Sequence, residues 1–316
     1  MAHIHEVRLY RPGDEAGITR LFREVYGREM SLDEWRWKYI ESHPEKIYAA
    51  VAANEEGCII GHYGSVCLPF IYQGRPARGL AICDVMIQPK YRGIGTLKRL
   101  SSLVPAEAVK DGIILGYGFP NRMTLLKPAL SLGIYEKIED VLEANKTVSF
   151  YNDPARYMFR FFPLDFSDER TDHLWQACRM NFPLAVVRDR SYLLWRYAHH
   201  KLFRYELWGL ARRLGRDLKG LAVLRREEHR VLIVDFLFRP GFMGPLFRKI
   251  ENSLYHRGEK NMTLWTTPSL EKKLGEYGFS TGPGETSIPR TTHEPTLTKA
   301  EIEGKFFYTM GDTDFL

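Results

Sequence analysis

Ile82-Cys83-Asp84-Val85-Met86-Ile87-Gln88-Pro89-Lys90-Tyr91-Arg92-Gly93-Ile94-Gly95-Thr96-Leu97-Lys98-Arg99-Leu100 decides how the chain reads. From Leu80 to Gln88 it is apolar enough for a strand. Pro89-Lys90-Tyr91 turns a corner, and Arg92-Gly93-Ile94-Gly95 opens an amphipathic helix. Gly93 and Gly95 reach backbone dihedrals closed to other residues, so successive N–H groups can turn toward one point. Those donors join the unsatisfied N–H groups of the first helical turn and the positive end of its dipole. A strand feeding such a turn is a cradle for phosphate. Two familiar cradles do not fit. The dinucleotide fingerprint needs glycine where Lys98 stands, and the P-loop's Gly-Lys-Ser/Thr is absent.

Upstream, Ile4 to Tyr10 alternates apolar and polar residues as a strand does, and Arg11-Pro12-Gly13-Asp14 breaks it. Ile18, Leu21, Phe22 and Val25 have helical spacing, ended by Gly27. Ser31-Leu32-Asp33-Glu34 is a capping box opening a second helix with Trp35, Trp37 and Tyr39. Strands are expected at Ile47 to Ala53 and Cys58 to Tyr72. Downstream, Leu97, Leu100, Leu103, Val104 and Ala108 form one helix face. A short strand within 112–118, Phe119-Pro120-Asn121, and a helix from Thr124 to Leu132 complete the first half at Gly133-Ile134.

Arg92-x-x-Gly95-x-Leu97 after a strand resembles the acetyl-CoA pyrophosphate loop of the GCN5-related N-acetyltransferases (GNAT). That family's pattern is Gln/Arg-x-x-Gly-x-Gly/Ala, from which Leu97 departs. The order of elements and the run Gly118-Phe119-Pro120-Asn121 extend the resemblance over the whole first half. It implies that the N–H groups of Val85, Met86 and Ile87 receive the pantetheine and the thioester oxygen of acetyl-CoA. It assigns the pyrophosphate to Arg92, Gly93, Ile94, Gly95, Thr96 and Leu97, and the cofactor arm to Asn121. The family's usual acidic tyrosine falls on Ala129, which leaves Tyr117 and Tyr135 as substitutes. Asp84, one residue before the carbonyl-binding backbone, is the candidate base, because a carboxylate beside an apolar strand has its pKa raised. Trp35, Trp37, Tyr39 and His62 are candidates for the acceptor side. No metal is implied.

The second half repeats the order with other residues. A helix is expected over Arg188 to Tyr197, with strands at Arg204 to Ala211, Lys219 to Arg225 and Arg230 to Phe238. A helix from Pro245 to Tyr255, a strand from Met262 to Thr266 and a helix from Ser269 to Tyr277 follow, with a final strand at Lys305 to Met310. Three residues after Arg239 stands Phe242 rather than glycine, and Pro240 removes an N–H donor. The expected fold is α+β: two GNAT-like domains in tandem, 1–146 and 147–316, the second degenerate. Each is a mixed, mostly antiparallel twisted sheet flanked by helices.

The 316 residues suit two domains. A net charge of +6 and pI near 9.0 point to an anionic partner, and coenzyme A, nucleic acid and an acidic surface all fit that charge. The basic segment from Arg188 to Arg216 carries no recognised nucleic-acid motif, so nucleic acid is not assigned as a partner. No leader or membrane span is legible, and Cys58, Cys67, Cys83 and Cys178 have no metal spacing, which fits a cytoplasmic protein. The expected activity is acetyl transfer from acetyl-CoA to a primary amine, of a small molecule or a peptide, by direct attack; a homodimer is left open. The alternatives are a non-catalytic acyl-CoA sensor and an aminoacyl transferase of similar tandem fold.

Overall fold

The computed structural model describes residues 4–42, 45–92, 94–120, 125–152, 157–292 and 297–313. The first half runs β1 (Glu6–Leu9), α1 (Glu15–Tyr26), α2 (Leu32–Arg36) with a π-helical turn (Trp37–Glu41), β2 (Tyr48–Ala53), β3 (Ile59–Tyr72), β4 (Arg75–Ile87), α3 (Ile94–Lys110), β5 (Leu115–Gly118), α4 (Lys127–Ser131) and β6 (Tyr135–Thr147). The second runs β7 (Phe159–Leu164), α5 (Arg170–Cys178), β8 (Leu184–Val186) and α6 (Arg190–Leu193) with a second π-helical turn (Leu194–Ala198). It continues with β9 (Glu206–Arg212), β10 (Leu218–Arg226), β11 (Val231–Phe238), α7 (Met243–His256), β12 (Asn261–Thr266), α8 (Pro268–Glu276), β13 (Ser280–Thr291), α9 (Lys299–Ile302) and β14 (Phe306–Phe307). The fold is α+β, as expected. Among the described residues no helix is long and apolar enough to cross a membrane.

The chain forms two compact units whose boundaries fall inside strands. One holds 1–69, 77–139 and 285–303; the other holds 70–76, 140–284 and 304–316. The first unit has strand order β1-β2-β3-β4-β5-β13. Pairing is antiparallel for β1–β2, β2–β3 and β5–β13, and parallel for β4–β5. α3 lays Leu97, Leu100, Val104 and Ala108 on Ala50, Ala52, Ile60 and Ile82 in one core. Ala129, where the resemblance places a tyrosine, is fully buried in that core.

The β4–β5 register ends at Ile82↔Gly118, and β5 ends there too. Cys83 to Ile87 therefore continue past the end of their parallel neighbour. A Cβ on Gly118 would lie 3.1 Å from the Ile82 carbonyl oxygen, so glycine suits this close approach.

The second unit has strand order β6-β12-β11-β10-β9-β7, antiparallel except for β11–β12. β8 pairs with β14 and with Phe70 to Tyr72. Two expectations change here. The helix read over Arg188 to Tyr197 begins only after its cap, Asp189, whose side chain accepts from the Tyr192 N–H, and it widens into a π-turn. The final strand shrinks to Phe306–Phe307. The Thr309 N–H goes to the Asp312 carboxylate at 2.7 Å, which closes a turn at Met310 to Asp312 in place of a ladder.

Candidate active site

Asp84 sits where β4 has left β5, with φ of +45°. Among the described residues the only other non-glycine at positive φ is Gln73, in a turn. Such a conformation costs about 1–3 kcal/mol and persists only where the surroundings impose it. Here they do. The Lys38 Nζ donates to both carboxylate oxygens at 2.9 Å, and the Tyr39 hydroxyl donates to Oδ2 at 2.6 Å. The ring of His62 on β3 holds the Asp84 carbonyl oxygen at 2.8 Å through Nδ1. Asp84, Lys38 and His62 are all at most 7% exposed.

Lys38 and Tyr39 are sequence neighbours, and on a regular α-helix they would point about 100° apart. The π-helical turn over Trp37–Glu41 lets both reach one carboxylate. Gly64 makes the space. A Cβ there would clash with the Tyr39 hydroxyl and His62 Cε1 and lie 3.1 Å from the Cys83 carbonyl oxygen. Gly64→Ala should therefore destabilise the protein by about 1–3 kcal/mol, measured by denaturant melts; an unchanged midpoint would show that the cluster yields.

Burial pushes the Asp84 carboxyl up, but the Lys38 charge and the Tyr39 and Lys38 hydrogen bonds outweigh it and hold it below the usual carboxylate range. The stability this pairing contributes is complete above the unfolded carboxyl pKa of about 3.9 and is lost as pH falls through the depressed folded value. Burial, and then the Asp84 charge, raises the Tyr39 phenol well above its ordinary value, so it stays a donor. Burial lowers the His62 pKa. Because a carbonyl only accepts, His62 Nδ1 carries the proton, and the buried Nε2 has no hydrogen-bond partner among the described residues.

Past Asp84, the Gln88 N–H donates to the Ile60 carbonyl at 2.9 Å. Alternation then turns Met86 toward β3 and sends the amides of Val85 and Ile87 to the opposite edge. On that edge the Ile87 carbonyl accepts from Arg92 Nε at 3.1 Å and the Val85 carbonyl accepts from the Tyr26 hydroxyl at 3.5 Å. Arg92 is exposed, and α3 begins at Ile94. Thr96 is buried and donates to the Tyr91 carbonyl at 2.9 Å, tying the first turn of α3 to the corner before it. A Cβ on Gly95 would meet nothing within 4 Å. Leu97 points into the core, so its bulk lies away from the loop. Gly93 and Asn121 lie outside the described residues.

Tyr117 is buried edge-on to Phe119, with ring centroids 6.0 Å apart. The Tyr135 hydroxyl pairs with that of Tyr63 at 3.0 Å, and burial keeps both phenols neutral. Trp35 is buried with its ring 5.6 Å from that of Tyr10 and 5.3 Å from that of Tyr39, and Trp37 is buried beside it in sequence. Of the catalytic and acceptor-side candidates read from sequence, the structure brings Asp84, Tyr39 and His62 together.

Lys38 was not singled out, although a signal for it exists. Trp37-Lys38-Tyr39 recurs as Trp195-Arg196-Tyr197, and Ile82-Cys83-Asp84 as Ile233-Val234-Asp235. In both units the tyrosine stands eight residues after the helix N-cap, Ser31 or Asp189. The Tyr197 hydroxyl donates to Asp235 Oδ2 at 2.8 Å, as Tyr39 does to Asp84. The cations differ. In the second unit Arg188, not Arg196, binds the aspartate, with Nε 2.9 Å from Asp235 Oδ1, and its Nη2 takes Asp312. Arg196 instead donates to the carbonyls of Gly311 at 2.9 Å and Thr313 at 2.7 Å.

Residues 6–137 match the domain model described as "Acetyltransferase (GNAT) domain". No curated protein matches the chain. Among solved structures, a conserved protein of unknown function from Enterococcus faecalis V583, titled a probable N-acyltransferase, is 12% identical with a TM-score of 0.74, over 93% of this chain and 73% of that one. A GCN5-related N-acetyltransferase from Anabaena variabilis ATCC 29413 is 12% identical with a TM-score of 0.69, over 90% and 72%. The N-myristoyltransferase of Saccharomyces cerevisiae, solved with myristoyl-CoA and inhibitors, is 8% identical with a TM-score of 0.59, over 90% and 79%. At these identities the structures share a fold. Over residues 6–137 the chain is thus similar to the acetyltransferase (GNAT) domain family.

Proposed function

We propose that this protein is an N-acetyltransferase that moves acetyl from acetyl-CoA to a primary amine by direct attack. In this reading the first domain, 1–146, carries the acyl-CoA site, and the second, 147–316, is a degenerate copy. The observation that carries it is the strand end at Cys83 to Ile87, which runs past β5 and leads into an open-faced Gly95 at the start of α3. The diphosphate meets the first turn of α3, and Arg92 adds charge. The amides of Val85 and Ile87 face the thioester, whose carbonyl they polarise. The amine attacks that carbonyl, the tetrahedral intermediate expels the CoA thiolate, and the ammonium proton is lost to a base. Neutral His62, with Nε2 unprotonated, has the protonation state for that base. A fold shared with a myristoyl-CoA-bound enzyme supports an acyl-CoA ligand.

Calorimetry with acetyl-CoA tests the reading, followed by thiol release against a panel of amines. Saturable binding with turnover of at least one amine is expected, and absence of binding would end it. A sensor without turnover is the second reading, favoured by Ala129 filling the core at the family's tyrosine position. Binding with no turnover across the panel would select it.

A further inference from the structure

We propose that Lys38 is a positioning residue for acyl transfer: its ammonium clamps Asp84 in the left-handed conformation that aims the next two outward amides at the thioester. The proposal rests on the acyl-CoA reading above and assigns a function to a residue outside the phosphate-loop motif.

Asp84 is badly placed to act as the base. Oδ1 accepts from Lys38 and Oδ2 accepts from both Lys38 and Tyr39, and the carboxyl stays ionised. Taking a proton would mean breaking a charge-assisted pair in a site closed to water. The same contacts suit a clamp. A residue other than glycine does not stay at positive φ in a strand unless something holds it there. Three bonds hold its side chain, and His62 holds its carbonyl. The residue directly after it is Val85, and Ile87 follows on the same edge, so a change of φ at Asp84 swings both amides. In transfer chemistry an error of about 1 Å in such donors costs about 100-fold in rate.

The second unit supports this division of labour. Its tyrosine–aspartate pair persists, but Asp235 is at ordinary φ, and its cation comes from Arg188, on another segment. The lysine clamp and the strained aspartate occur together in the first unit, and neither occurs in the second.

The test uses acetyl-CoA carrying 13C at the thioester carbonyl, so no acceptor has to be known. Bound to the wild type, the carbonyl resonance should move downfield, as expected of a hydrogen-bonded thioester. Lys38→Met should keep acetyl-CoA affinity within about threefold, because the diphosphate supplies the grip, yet return the resonance toward its free position. Lys38→Arg should restore the shift. With a turned-over amine, Lys38→Met should lower kcat about 100-fold with little change in KM for acetyl-CoA. If Lys38→Met alone does not fold, the Lys38→Met/Asp84→Asn double variant leaves no unpaired charge and carries the same test. A folded variant with a wild-type carbonyl shift would overturn the proposal. Failure of the wild type to bind acetyl-CoA would instead show that the acyl-CoA reading is at fault.

Discussion

Glutamate in place of Gly95 is expected to abolish acetyl-CoA binding while leaving the melting temperature nearly unchanged. A Cβ at this position finds nothing within 4 Å and the backbone is not at positive φ, so the fold has room for a side chain. A carboxylate in the first turn of a helix is also favoured by the dipole. The same carboxylate would fill the cradle proposed for the diphosphate and repel it. A loss of at least about 100-fold in affinity, near 2.7 kcal/mol, is the expected scale. Gly95→Ala, which adds volume without charge, should lose much less. Calorimetry on both variants, with thermal melts as the control, checks this. Retained binding by a folded Gly95→Glu protein would place the diphosphate elsewhere.

Arg188→Met should produce the largest loss of stability. Arg188 is 1% exposed and joins Asp235 and Asp312, which are buried as deeply. Its desolvation is more than offset by the two carboxylates, which hold it firmly protonated. Removing it leaves two buried acids facing each other across Thr309, with Tyr192, Tyr197 and Arg196 as the remaining polar neighbours. Breaking a buried pair from one side costs about 3–5 kcal/mol. For a unit of this size that is a fall of roughly 10 °C in Tm.

The pH dependence has a definite sign. Burial pushes the Asp312 carboxyl up to about 6, against the pull of Arg188. An acid with a raised folded pKa costs stability above that value, and the cost fades as pH falls through it toward the unfolded value of about 3.9. Without Arg188 the penalty grows, so the variant's deficit should be wider at pH 7.5 than at pH 5.5. Denaturant melts at the two values measure it. An equal deficit at both would mean that Asp312 is already neutral.

The strand–corner–helix course of this stretch is legible from sequence because its parts are contiguous. Strand, corner, glycine and helix face all lie between Ile82 and Leu100, where local backbone preference and periodicity act directly. Leu97 looked like a departure from the pattern, but on α3 it belongs to the core stripe with Leu100 and Val104. The long strands β6 and β13 were not legible. Tyr135 to Thr147 is rich in Glu, Asp and Lys, which strand propensity disfavours, and pairing with distant segments decides it.

By itself, the sequence determined the α+β class, the loop opening α3 and the recurrence of element order, all of which depend on residues close together in the chain. The tertiary structure alone decided the centre. Lys38 and Asp84 are 46 residues apart, and their meeting depends on an extra-wide helical turn, a glycine opposite and a strand that outruns its neighbour. It also turned Asp84 from a candidate base into a fully bonded anion, because a carboxylate's chemistry is set by the donors packed around it. Those donors come from other segments of the chain, which residue order does not reveal.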